Sequence, residues 1–69
     1  MNKKHKLLVK HISSAINEDA TIRYLEFSKV IRVYADGCYF DLEPGQISKT
    51  VVITKYNAAK RLRKVLDEQ

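Results

Sequence analysis

No pair of residues constrains this chain more than Asp36-Gly37. A type I′ turn needs positive φ at both central positions, which glycine adopts freely and aspartate tolerates. With these two at the tip, the pairing follows: Ala35 with Cys38, Tyr34 with Tyr39, Val33 with Phe40, Arg32 with Asp41, Ile31 with Leu42, Val30 with Glu43. Directly opposed residues share a face of the sheet. One face then carries Ala35, Cys38, Val33, Phe40, Ile31 and Leu42, all apolar. The other carries a tyrosine pair, an Arg32–Asp41 pair, and Val30 with Glu43. Slipping either strand by one residue would mix the two sets, so both faces specify the same register.

The stretch from Lys29 to Ile53 reads as three antiparallel strands in a meander. Pro44-Gly45 predicts a second tight turn, with proline presetting φ and glycine supplying the positive φ of a type II geometry. That turn pairs Leu42 with Ile47 and Cys38 with Val51. The core face of the third strand is then Ile47, Lys49, Val51 and Ile53, with Lys49 snorkelling past an edge. The β-branched run T-V-V-I-T at Thr50–Thr54 belongs to this strand.

Upstream, residues 3–17 read as an amphipathic helix. Leu8, Ile12, Ala15 and Ile16 form its apolar face, flanked by Leu7 and Val9, while Lys3, Lys6, Lys10, Ser13 and Asn17 lie opposite. Asn17-Glu18-Asp19 breaks the pattern. A first strand is expected near Thr21–Phe27, with Leu25 and Phe27 continuing the core face of Ile31 and Val33. The alternative is a helix over residues 20–30, because Tyr24, Phe27, Ile31 and Tyr34 also fit helical spacing. Downstream, Thr54 is placed to cap a helix over residues 55–67. Ala58, Ala59, Leu62, Val65 and Leu66 make its buried stripe, and Lys60, Arg63 and Lys64 face outward. The expected fold is therefore α+β: helix, antiparallel meander of three or four strands, C-terminal helix, with both helices on one sheet face.

A chain of 69 residues is one domain, residues 1–69, and its small core leaves stability marginal without self-association or a partner. With one cysteine there is no intrachain disulfide. His5 and His11 do not share a helical face, so no metal site is expected. The only glycines are turn residues, so there is no glycine-rich phosphate loop. Cys38 reads as a small core residue rather than a nucleophile, and a core this small leaves little room for a pocket. The chain is read as non-enzymatic and without cofactor. No apolar run reaches the length of a membrane span or a signal peptide, which predicts a cytoplasmic protein without membrane contact.

The net charge of +5 is uneven. Residues 1–11 hold four lysines and no acid; residues 12–54 hold four bases and six acids; residues 55–69 hold five bases and two acids. Positive charge concentrated on the two helices points to a polyanion, DNA or RNA. Lys3, Lys6, Lys10, Lys60, Arg63 and Lys64 are the expected phosphate contacts. The outer sheet face offers a second surface. There Arg32, Tyr34 and Tyr39 are residue types that concentrate binding energy at protein interfaces, and they would serve a protein partner or a homodimer. The expected function is that of a nucleic-acid-binding accessory or regulatory protein. The alternative is a protein-binding regulator or inhibitor, carried by a phage or plasmid.

Two family resemblances accompany this reading. The order helix–strand–strand–strand–helix resembles a double-stranded-RNA-binding domain, and A-A-K-R-L-R-K-V-L is similar to the last helix of that family. T-K-Y-N stands where the family has a Ser-Lys-Lys-type basic start. The segment from Val30 to Leu66 also resembles the arm-type DNA-binding domains of tyrosine recombinases. Those have three strands and a helix opened by a Thr-Lys stretch, as in V-I-T-K-Y-N-A-A-K-R-L. The first resemblance implies phosphate contacts from the last helix. The second implies a sheet that enters the major groove.

Overall fold

The Asp36-Gly37 turn has the backbone that its sequence demands, with φ of 49° and 73°. It joins β2 (Val30–Ala35) to β3 (Cys38–Leu42), paired from Ala35↔Cys38 to Ile31↔Leu42 in the expected register. The computed structural model describes residues 3–68; positions 1, 2 and 69 of the domain lie outside them. Element order is α1 (Lys3–Ile16), β1 (Thr21–Leu25), β2, β3, α2 (Lys49–Asp67), and the sheet order is β1-β2-β3. Both helices lie on one face of this antiparallel sheet.

α1 forms as its periodicity predicts, with Ile12 fully buried and Leu8, Val9, Ala15 and Ile16 packed around it. It ends where Asn17 turns left-handed at φ 56°, and the Glu18 amide donates to the Ser13 carbonyl at 3.2 Å. That is a Schellman closure with asparagine in place of glycine. The Ser13 hydroxyl then accepts from the Ala20 amide at 3.0 Å, which steers the chain into β1.

Residues 20–30 are strand and turn, not helix, and the side of β1 that faces the core differs from the sequence reading. Leu25↔Val30 closes a loop of four residues, Glu26 to Lys29, with Lys29 at φ 58° and its amide donating to the Leu25 carbonyl at 2.9 Å. An even-numbered loop pairs odd residues with even ones. Ile22 therefore opposes Val33 and is buried. Leu25 takes the outer face instead, and Phe27 stands fully exposed at the tip.

The expected third strand at Ile47–Ile53 is helix. Pro44 and Gly45 do form a turn, closed by the Gln46 amide on the Glu43 carbonyl at 2.8 Å. Gly45 is not in the left-handed region, however, so the turn is not type II and does not return a strand. The Val30–Glu43 pair is also not made, since β3 stops at Leu42. Ser48 caps α2, its side chain accepting from the Val51 amide, and the chain is helical from Lys49. The β-branched run is absorbed because Val52 is fully buried against the sheet, and that packing outweighs the small propensity cost. Lys49 is an exposed first-turn residue rather than an intruder on a core face. Thr54 lies inside the helix, its hydroxyl donating to the Thr50 carbonyl at 2.8 Å.

The core is Ile12, Ile22, Ile31, Val33, Ala35, Phe40, Leu42, Val52 and Tyr56. α2 contributes Val52 and Tyr56, flanked by Val51 and Ala59; of the stripe expected from its second half, only Ala59 packs against the core. Leu62, Val65 and Leu66 are 62%, 52% and 60% exposed. Length explains this. α2 has 19 residues, about 28 Å at 1.5 Å each. β3 has five, about 17 Å, so the helix outruns the sheet.

Replacing Ser48 by alanine should lower stability by about 1 kcal/mol, read as a fall in urea midpoint. Thr54→Ala should change it by less than about 0.5 kcal/mol, because Thr54 is a helix-interior residue whose replacement raises propensity. The opposite ranking would contradict a helix starting at Lys49.

Candidate nucleic-acid interface and the open sheet face

The direction of the helices decides where the basic residues meet. His5 at the start of α1 packs against Tyr24, ring centroids 5.8 Å apart, and Ser13 near its end meets Ala20. α1 therefore runs antiparallel to β1. In α2, Tyr56 packs on Phe40 at 6.1 Å, and Arg63 reaches the carbonyl of Gly37 at the β2–β3 tip. α2 therefore runs antiparallel to β3. Since β1 and β3 are parallel, the two helices share a direction.

The lysines of α1 crowd its first half and the bases of α2 crowd its second half. The two groups thus lie toward opposite ends of the helical layer. Lys3, Lys6 and Lys10 are exposed, and α1 holds no acidic residue. Lys10 borders a groove of about 340 Å³ with Leu7, His11, Ser14, Ala15 and Lys49. His11 Nε2 lies 2.7 Å from the Ile47 carbonyl and ties α1 to the segment leading into α2. Lys49 thereby joins the α1 group, a neighbour that the strand reading of residues 47–53 had hidden.

The α2 group is partly engaged. Lys60 Nζ lies 5.2 Å from the centre of the Tyr56 ring. Arg63 donates to the Gly37 carbonyl and pairs with Asp67 at 3.6 Å. Lys64 is exposed in the last turn, where a cation also suits the helix dipole. Lys49 and Lys60–Lys64 are separated by about 17–22 Å of helix axis.

The outer sheet face is built in rows. Thr21, Tyr34 and Tyr39 form one row, Arg23, Arg32 and Asp41 the next, and Leu25 and Val30 the third. Arg32 grips Asp41 through two hydrogen bonds, Nε to Oδ1 at 2.8 Å and Nη2 to Oδ2 at 3.1 Å. The Arg32 guanidinium also lies 4.8 Å from the centre of the Tyr39 ring, and Tyr39 is 6.2 Å from Tyr34. The hydrogen bonds from Arg32 hold the Asp41 carboxyl below its usual range, and Asp41 in turn raises the Arg32 guanidinium above its own. The three residues singled out on this face, Arg32, Tyr34 and Tyr39, are thus one connected group. Tyr56, by contrast, is raised by burial, and among the described residues its hydroxyl has no partner.

Shallow, open grooves of about 280 to 500 Å³ line the surface. Among the described residues no group of three or more His, Cys, Asp or Glu is placed to hold a metal ion. No helix among them is long and apolar enough to cross a membrane. No family model, curated protein or solved structure matches the chain. The observed order α-β-β-β-α agrees with the order that the double-stranded-RNA-binding resemblance implies. The recombinase resemblance needs three strands after Val30, and only β2 and β3 lie there.

The pairing of Asp41 sets a pH signature. Its folded value is depressed below 3.8, so its stabilising contribution is present at neutral pH and is lost as pH falls through the folded value. Wild type should exceed Asp41→Asn in urea midpoint at pH 7, and the gap should close well below pH 3.8. The gap is small, because the Arg32 and Asp41 side chains are 32% and 39% exposed. A gap that is unchanged in acid would contradict the pairing.

Proposed function

We propose that this is a non-enzymatic, nucleic-acid-binding accessory or regulatory protein of the cytoplasm. One observation supports the reading above others: α1 carries exposed Lys3, Lys6 and Lys10 without a single acid, and its groove toward α2 is bordered by Lys49. A helix face of one sign attracts phosphate, although Lys10 also shares a groove with Glu18 and Asp19 beyond the end of α1. The second group, Lys60, Arg63 and Lys64, lies near the other end of the layer. Two groups about 20 Å apart along a helix axis suit an extended polyanion better than a small anion. Duplex nucleic acid offers a charge about every 1.7 Å of its axis. Of the six residues, Arg63 gives the least, because its guanidinium is already engaged by Gly37 and Asp67.

A second reading is favoured by the Arg32–Asp41–Tyr39 group, an ordered surface on the sheet face away from the helices. It would serve a protein partner, with Tyr34 and Tyr39 as anchors. Alanine at both tyrosines would then abolish partner binding and leave the fold intact.

The nucleic-acid reading is tested by titrating fluorescent DNA and RNA duplexes at several salt concentrations. Lys3, Lys6 and Lys10 changed together to glutamine should lower affinity and reduce the slope of log K against log salt by about 2–3. An unchanged slope with an intact circular dichroism spectrum would overturn it.

A further inference from the structure

The last turns of α2 hold apolar surface that this fold leaves in water. Leu62, Val65 and Leu66 lie outside the core, on the stretch of helix that runs past the sheet. Leu62 and Leu66 also wall a groove of about 500 Å³ whose other side is Cys38 and Tyr39 of β3. The chain as a whole exposes 5412 Å². A folded monomer of 8.0 kDa is expected to expose about 4,450 Å². The excess of roughly 1,000 Å² belongs to the whole chain, and the exposed Leu62, Val65 and Leu66 contribute to it together with Leu7, Tyr24, Phe27 and Tyr39. Shape agrees: the radius of gyration is 12.1 Å, against about 11 Å for a compact chain of this length.

Charge selects the occupant. Arg61 and Glu68 are seven residues apart, nearly two turns, so both lie on the same flank of the stripe. Both are exposed. A second copy laid antiparallel, with a two-fold axis crossing α2 near Lys64 and Val65, brings Leu62 of each copy beside Leu66 of the other and Val65 near its own counterpart. The same axis places Arg61 of each copy against Glu68 of the other, twice over. An isologous two-fold contact is also the commonest way for a chain to cover its own patch.

We infer that the chain forms a homodimer through the C-terminal half of α2, antiparallel, with Leu62, Val65 and Leu66 at its centre and Arg61–Glu68 pairs at its rim. The contact is distinct from the outer sheet face and does not depend on nucleic acid.

Sedimentation equilibrium of the full chain, from low to several hundred micromolar, tests it. Wild type should approach twice 8.0 kDa with rising concentration. Leu62→Gln with Leu66→Gln should weaken association by about 100-fold and keep the folded circular dichroism spectrum, since neither side chain belongs to the core. Arg61→Glu and Glu68→Arg should each weaken it by about tenfold, and the double reversal should recover most of the loss. Any of three results would overturn the proposal: a monomer at every concentration, a dimer indifferent to the leucine pair, or charge reversals that do not rescue each other. A dimer lost on Tyr34→Ala with Tyr39→Ala but kept in the leucine variant would also overturn it, and would assign the contact to the sheet face.

Discussion

The register of the β2–β3 hairpin governs everything built on it. Asp36 and Gly37 hold the left-handed backbone of the turn, and the pairing they impose sorts apolar from polar residues without exception from Ala35–Cys38 to Ile31–Leu42. The apolar face supplies Ile31, Val33, Ala35, Phe40 and Leu42 to the core. The polar face sets Arg32 directly opposite Asp41, at the distance a bidentate pair requires. A slip of one residue in either strand would set polar residues of one strand against apolar residues of the other, so the pair and the core face would be lost together. Gly37 is held from a third direction as well, since its carbonyl accepts from Arg63 and a side chain there would meet the guanidinium. The turn thus anchors the hairpin and also fixes where the far end of α2 comes to rest.

What the sequence makes legible follows the range of the physics involved. The hairpin and α1 rest on local signals, a turn pair and a helical period, and both are read correctly. The sequence leaves β1 open between a strand and a helix over residues 20–30; it is a strand, and which of its faces is buried depends on the parity of the loop before Val30. Nothing in E-F-S-K announces a four-residue turn with Lys29 left-handed. The segment from Ser48 to Thr54 is a conflict between levels. Its β-branched residues favour a strand, while a serine cap and the burial of Val52 favour a helix, and burial is the larger effect. The apolar stripe from Ala58 to Leu66 is expected to be buried, yet Ala58, Leu62, Val65 and Leu66 are exposed and only Ala59 packs against the core. Its environment could not be read from periodicity, because periodicity does not say where the sheet ends.

The candidate binding residues show the same division. Their exposure was legible, since lysines opposite an apolar stripe seldom lie anywhere else. Their grouping was not. Whether Lys3, Lys6 and Lys10 adjoin Lys60 and Lys64 depends on the relative direction of two helices separated by three strands. An odd number of antiparallel strands between them makes the helices run the same way, which draws the clusters apart and gives Lys49 to the first of them. Arg32, Tyr34 and Tyr39 were legible as one group because a single hairpin contains them all.

The strands follow one another in sequence without a crossover. Their two loops, of two and four residues, demand little entropy to close. The costly closure is the one between helices, where Ile12 and Val52 enter a common core from opposite ends of the chain. Hairpins form on the microsecond scale, so the sheet can exist before it is covered. Seating α1 and α2 on it completes the core. Native-state hydrogen exchange would therefore find the amides of β2, the central strand, among the last to open, and the overhanging turns of α2 among the first.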